Sequence, residues 1–232
     1  MCGMKTVLEV KRSDMNLVLV RHGETQANLA QRWSGSRDLE ITDLTDRGKE
    51  QAIRLGRWFK ERRFVPNYVY SSPQRRAFET ASLAGGHWGL NVEKIEDLKE
   101  TGAGMFEGLN WSEIEERYPR EAEGFRDSRD WSVVRGAEQE SDRRSRGERL
   151  LKLALSGREP DDVVVMFCHG GIIQHTVSVI FQSPKLWGIP VKNTALFEFR
   201  IDIKRWASET RERFNPTLWQ ILRFNDVPHL KN

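Results

Sequence analysis

Two short runs of uninterrupted apolar residues dominate the pattern along the chain, Leu17-Val18-Leu19-Val20 and Val163-Val164-Val165-Met166-Phe167-Cys168. A strand that is apolar at every position is buried on both faces, the condition of a parallel strand inside an α/β sheet. Each run delivers a histidine and then a glycine: Arg21-His22-Gly23-Glu24-Thr25 after the first, His169-Gly170-Gly171 after the second. Ligands in such sheets bind at the carboxyl edge, so both histidines are expected at one edge. Shorter apolar runs predict strands at 68–71, 92–95, 194–201 and 219–224. Gly48, Ala52, Leu55, Gly56 and Phe59 recur at helical spacing behind Thr45, a candidate N-cap, and predict a helix to about Arg62. Ser72 and Pro73 suit the cap and first turn of the next helix. Ser112 with Glu115 forms a candidate capping box for a short helix ended by Pro119. Residues 120–135 have no clean period. Helical patterns return at about 138–155 and 172–181. Strands alternating with helices imply α/β class, a three-layer α/β/α sandwich with a mostly parallel central sheet. We read residues 1–232 as one domain, with a small helical cap insertion at about 109–160.

Composition narrows the function classes. The 232 residues are 38% hydrophobic, enough for a real core, and 31% charged with a formal net charge of +3. That excess of cations is too small to argue for nucleic acid. Cys2 and Cys168 are too far apart in sequence and context for a disulfide framework, so a reducing compartment is expected. Residues 1–16 hold no apolar core of signal-peptide length, and glycine at position 3 fails the myristoylation pattern. No apolar stretch approaches the roughly 20 residues that span a bilayer. The expectation is a cytoplasmic protein that engages no membrane.

The candidate chemistry lies at the strand ends. Arg21 beside His22 pairs a cation with an imidazole, the residue types for anion capture next to a nucleophile; Gly23 lets the backbone turn and keeps the approach open. Arg75 and Arg76 fall at the amino end of a helix, a place unfavourable for cations unless an anion sits there too. Gly102, Gly104 and Gly108 mark residues 96–108 as a loop, where a catalytic carboxyl is expected. Residue types alone do not choose among Glu96, Asp97, Glu100 and Glu107. The first amides after His169, at Gly170 and beyond, can bind a phosphate oxygen. Trp33 reads equally as a substrate wall or as a packing plug. Arg143, Arg144, Arg146 and Arg149 read as a solvated helix face, and His175 as core or surface. There is no HxxxH pair and no helpful cysteine or carboxylate spacing, so no metal is expected.

The RHGET motif after a buried strand resembles the signature of the histidine phosphatase superfamily, the phosphoglycerate mutase-like family, whose motif histidine is phosphorylated during turnover. Ser71 to Ala81 is similar to the family's S-S-x-x-x-R-A-x-x-T-A pattern, which puts Arg76 at the phosphate-binding arginine and Arg75 outside it. Gln74 departs from the apolar residue usual there. Leu98 to Gly108 resembles L-x-E-x-x-x-G-x-x-E-G, which assigns Glu100 as proton donor and Glu107 to a supporting position. Glu138 and Arg146 have the spacing of a Glu and an Arg common in the family's cap-to-core helix. The likeness runs from about Leu17 to Leu230 and is weakest over 1–16, the cap and 204–216.

The resemblance implies a metal-independent phosphatase acting on phosphomonoesters. His22, Glu100 and His169 would be catalytic, Arg21, Arg76, Asn28 and Gly170 would bind phosphate, and neither metal nor cofactor would be needed. The implied partner is a small phosphorylated substrate, with no nucleic acid or membrane, and a homodimer stays open. A cofactor-dependent mutase is the alternative within the family, disfavoured by the compact spacing from Glu100 to His169. An inactive phosphatase-fold binding protein is the alternative from another class.

Overall fold

The computed structural model describes residues 13–183, 188–207 and 218–231. Six strands form one sheet: β1 (Asp14–Arg21), β2 (Tyr68–Ser71), β3 (Val92–Lys94), β4 (Val163–Cys168), β5 (Leu196–Asp202) and β6 (Trp219–Asp226). Their order is β3-β2-β4-β1-β5-β6. β3, β2, β4 and β1 run parallel, while β5 pairs antiparallel with both β1 and β6. The sheet is therefore mixed and mostly parallel, as the apolar runs imply.

Strand periodicity explains the layers. Met15, Leu17 and Leu19 of β1, with Val164, Met166 and Cys168 of β4, face one cluster shared with α6 (Glu140–Leu155) and α7 (Gly170–Ile180). Val18, Val20, Val165 and Phe167 face the other way, against α2 (Asp46–Glu61) and α3 (Arg75–Gly85). Both faces of β1 and β4 are thus covered, which an all-apolar strand requires. Arg21 lies opposite Cys168, and His22 N–H donates to the Cys168 carbonyl at 3.0 Å. The two strands end level, and the residues after them emerge side by side.

The short α1 (Gln26–Leu29) follows β1, and the five-residue α8 (Ile203–Ala207) follows β5. α4 (Trp111–Arg117) and α5 (Pro119–Ser128) make a third cluster around Phe106, Ile114, Ala122 and Phe125, with Trp33 and Trp131 packed on it. The apolar end of α6 belongs instead to the sheet layer.

Local chemistry corrects several predicted boundaries. Asn110, not Ser112, caps α4, with Glu113 completing the capping box. Pro119 does not merely end a helix; it opens α5 at N1, where its missing N–H has no helical partner to lose. α3 begins at Arg75 with Gln74 at its N-cap, so Ser72 and Pro73 precede the helix. Asp38 replaces the expected cap, its carboxylate accepting from Arg75 N at 3.2 Å. That acid supplies the negative charge the helix start needs beside two arginines.

Gly23 has a different reason from the one expected. A Cβ there would sit 2.4 Å from Gly48 O, and one on Gly48 would sit 2.1 Å from Glu24 O. Both glycines let the start of α2 press against the backbone after β1, with Thr45 accepting from Gly48 N at 2.9 Å. Expectations resting on residues 1–12, Cys2 included, lie outside the described residues. Among the described residues no helix is long and apolar enough to cross a membrane.

Candidate active site

The level strand ends bring His22 and His169 together, their ring centroids 5.1 Å apart. His22 is 2% exposed, and its Nδ1 lies 2.7 Å from the carbonyl of Gly23. A carbonyl only accepts, so Nδ1 carries the proton and Nε2 keeps its lone pair. The ring lines a cavity of about 360 Å³. Burial first, then Arg21 and Arg76, holds its pKa well below the ordinary histidine value, so the ring is neutral. His169 is lowered by burial, then Arg76, His22 and Arg21. Its Nε2 is 2.9 Å from Ser72 Oγ, which already accepts from Gln74 N. When Ser72 donates its proton to Nε2, His169 carries its own on Nδ1.

Four donor atoms here are buried without a hydrogen bond from the described residues: Arg21 Nε, Arg76 Nε, Arg76 Nη1 and His169 Nδ1. Arg76 is 0% exposed, and its Nη2 donates to Gly35 O at 3.1 Å. Arg21 Nη1 donates to Val191 O. Burial lowers the Arg76 pKa to about 10, so the guanidinium stays charged at neutral pH. Leaving buried donors unmade costs about 1–3 kcal/mol each, more for charged ones. An anion among them would recover that cost.

Asn28 also lines the cavity. Its Oδ1 accepts from Thr25 N at 3.2 Å and from Asn193 Nδ2 at 3.0 Å, which turns its amide NH2 to the free side. Gly170 borders the cavity. The helix amides differ from expectation, because Gly171 N donates to Glu100 Oε1 at 3.1 Å rather than standing free for phosphate. A Cβ on Gly171 would meet that Oε1 at 2.6 Å, so glycine admits the carboxyl group to the start of α7. Glu100 Oε1 accepts from Thr101 N as well, at 2.8 Å.

The cavity also separates the four carboxyl groups of the loop, for Glu100 alone among them lines it. Glu96 has a 79% exposed side chain paired with Lys99, Asp97 binds Arg149, and Glu107 accepts from Ser36 N at 2.8 Å, tying loop 35–37 in place. Arg146 holds Glu138 through two contacts of 2.7 and 2.8 Å and also donates to Asp97 O and Lys99 O. Glu138 in turn accepts from Gly102 N at 3.0 Å.

Residues 17–213 match the model of the histidine phosphatase superfamily, branch 1. The chain belongs to that superfamily.

This superfamily member is 30% identical over 175 residues to a glucosyl-3-phosphoglycerate phosphatase of Mycobacterium tuberculosis, a match covering 72% of this chain and 76% of that protein. It is 32% identical to the metal-independent phosphoserine phosphatase of Arabidopsis thaliana, over 72% of this chain and 69% of that one. A putative α-ribazole-5'-phosphate phosphatase structure from Escherichia coli superposes with a TM-score of 0.76 at 23% identity, covering 92% and 97% of the two chains, a likeness of fold. The 2,3-bisphosphoglycerate-dependent phosphoglycerate mutases of Corynebacterium jeikeium and Methylorubrum extorquens match over 49% and 44% of this chain.

Several residues of this histidine phosphatase superfamily site escaped sequence reasoning. Gln74, conspicuous as a departure from the family pattern, bridges two loops: its Oε1 accepts from Glu100 N at 2.7 Å and its Nε2 donates to Gly35 O at 3.3 Å. Arg143 is no part of a solvated face; it is 2% exposed and lines the cavity. The signal was present, since Arg143 shares the buried face of α6 with Gly147, Leu150, Leu151 and Ala154. His175 is buried on the cavity wall. Trp33 does both things considered for it, lining the cavity while packing edge-on to Trp131 at 5.1 Å between ring centroids.

Four histidines are held neutral, His22 and His169 as above, and His175 and His229 by burial that takes each to about 4. An unfolded chain takes up those protons near pH 6.5, so below that the unfolded state binds more protons and stability falls with pH. The thermal unfolding midpoint is expected to drop steadily between pH 7 and pH 4. A midpoint flat over that window would mean these rings are not buried in neutral form.

Proposed function

We propose that this chain is a metal-independent phosphomonoesterase that works through a phosphohistidine on His22. The observation that carries the reading is the group of unpaired buried donors around the His22 ring, on Arg21, Arg76 and His169. Phosphoryl transfer asks a protein chiefly for positioning and charge neutralisation, and these groups supply both. The Nε2 lone pair attacks phosphorus while the P–O bond to the leaving group breaks. The two guanidinium groups, His169 Nδ1–H and the Asn28 amide hold the non-bridging oxygens. Glu100 gives its proton to the departing alkoxide, then takes one from the water that cleaves the P–N bond. Phosphate leaves and Nε2 regains its lone pair. Within a single domain, the insertion at about 109–160 acts as the cap over this edge, its α4 and α5 packed in an apolar cluster of their own. Return of the phosphoryl group to a bound sugar acid is the second reading, and it rests on the mutase matches.

The test is phosphate release from a phosphomonoester panel with EDTA present. Full release is expected; loss under EDTA would overturn metal independence, and exchange of label into a bisphosphate without release would favour the mutase. Glu100→Gln is expected to lower release from alkyl phosphates by about 10²–10⁴-fold. The loss should be much smaller with p-nitrophenyl phosphate, whose phenolate departs without a proton. Equal losses on both would move the proton donor elsewhere.

A further inference from the structure

Besides Arg21 the cavity wall carries two guanidinium groups, on Arg32 and Arg143. Arg143 donates from Nε to Glu138 O at 2.9 Å and from Nη2 to Gly102 O at 2.7 Å, and its planar group lies 4.4 Å from the Trp131 ring centroid. Its Nη1 has no hydrogen-bond partner among the described residues, and none of their carboxylates lies within ion-pair distance of it. The residue is nonetheless 98% enclosed and forms part of the cavity wall. A charged group held this way, on backbone carbonyls and an aromatic face, is fixed in direction and has no direct anionic partner, Glu138, Glu140 and Glu100 acting on it from beyond ion-pair distance. The other cation on that side differs. Arg32 is bonded to both oxygens of Glu113, at 2.5 and 2.8 Å, and to Gly108 O.

We infer that Arg143 recognises a carboxylate on the leaving group, so that the substrate is a compact phosphomonoester with a second anionic end; this rests on the phosphatase reading above. Nη1 and the remaining N–H of Nη2 stand side by side, the spacing that takes two carboxylate oxygens at once. One carboxylate matches the single guanidinium left without a direct anionic partner, whereas a second phosphate dianion would exceed its charge. Gly102, which Arg143 grips, is two residues beyond Glu100, a span of at most about 7 Å. Arg143 and Glu100 therefore border the same small cavity, which favours a carboxylate close to the oxygen that Glu100 protonates. A cavity of about 360 Å³ that also houses the phosphoryl group leaves room for a small leaving group beside the packed indoles of Trp33 and Trp131.

The experiment compares matched esters that differ only in the second group: O-phosphoserine against O-phosphoethanolamine, and 3-phosphoglycerate against glycerol 3-phosphate, with p-nitrophenyl phosphate as reference. For the wild type, kcat/KM is expected to favour the carboxylate partner of each pair by about tenfold or more. In Arg143→Gln that ratio should collapse toward one, whatever happens to the common rate through Gly102, and Arg143→Lys should restore part of it. Wild-type release from p-nitrophenyl phosphate with a ratio near one in both pairs would overturn this inference alone. So would a variant in which both members of a pair fall together and the ratio survives. No release from any ester would remove the phosphatase reading and this one with it. The wild-type ratios decide the matter even if the glutamine variant fails to fold.

Discussion

His22→Ala is expected to lower phosphate release by about 10⁴-fold or more, because removing the nucleophile of a covalent mechanism leaves binding groups with no bond to make. The donors on Arg21, Arg76 and His169 remain, so the variant should still bind inorganic phosphate. Acid-sensitive, base-stable phosphate should be found on the wild-type chain quenched during turnover and be missing from the variant. Because Nδ1 is committed to the Gly23 carbonyl, the adduct is expected on Nε2. The neutral state of the ring also means that its titration should not limit the rate near pH 6, where an ordinary histidine would be gaining its proton. Release at the full rate by the alanine variant would remove His22 from the nucleophile's place and leave His169 as the other ring at this edge.

Replacing Arg76 should be nearly as costly, with Arg76→Ala lowering the rate by about 10³–10⁵-fold, the range seen when an arginine that neutralises a transferring phosphoryl group is lost. The side chain is wholly buried, with two of its three nitrogens lacking a hydrogen bond among the described residues, and Asp38 forms a long ion pair with Nη1 at 3.7 Å. Arg76→Lys keeps a charge but loses the fork, so it should fall between the alanine variant and the wild type. A second readout separates binding from folding. Phosphate at about 100 times its Kd stabilises a one-site protein by about 2.7 kcal/mol, and most of that gain should vanish in Arg76→Ala. An alanine variant within tenfold of the wild-type rate would mean that Arg76 does not face the reacting group.

Both expectations depend on residues that local pattern could find. β4 is apolar at every position and β1 is so from Leu17 to Val20, so the strands and their two buried faces follow from residue types within a few positions of one another. The same is true of Thr45 at the start of α2. Local reading failed where a side chain answers to a distant partner. Ser72 looked like a cap and instead meets His169; Asp38 took over at the helix start because the loop after α1 folds back on α3. Arg143 looked solvated because arginines on charged helices usually are, yet its position in the helical repeat places it against the cavity.

Residue order along the chain was sufficient for the strand order of events: two strand ends carrying histidines, an arginine-led helix, and a glycine-rich loop holding four carboxyl groups. Short-range preferences encode those features, since a buried strand, a cap or a turn is satisfied within one stretch of backbone. Tertiary structure alone seats Glu100 on Gly171 N, turns the Asn28 amide through Asn193, and leaves Arg143 on the cavity wall with a donor unspent. Those outcomes come from contacts between segments far apart in sequence, where the orientation of a charged or polar group depends on which distant carbonyl or carboxylate reaches it first.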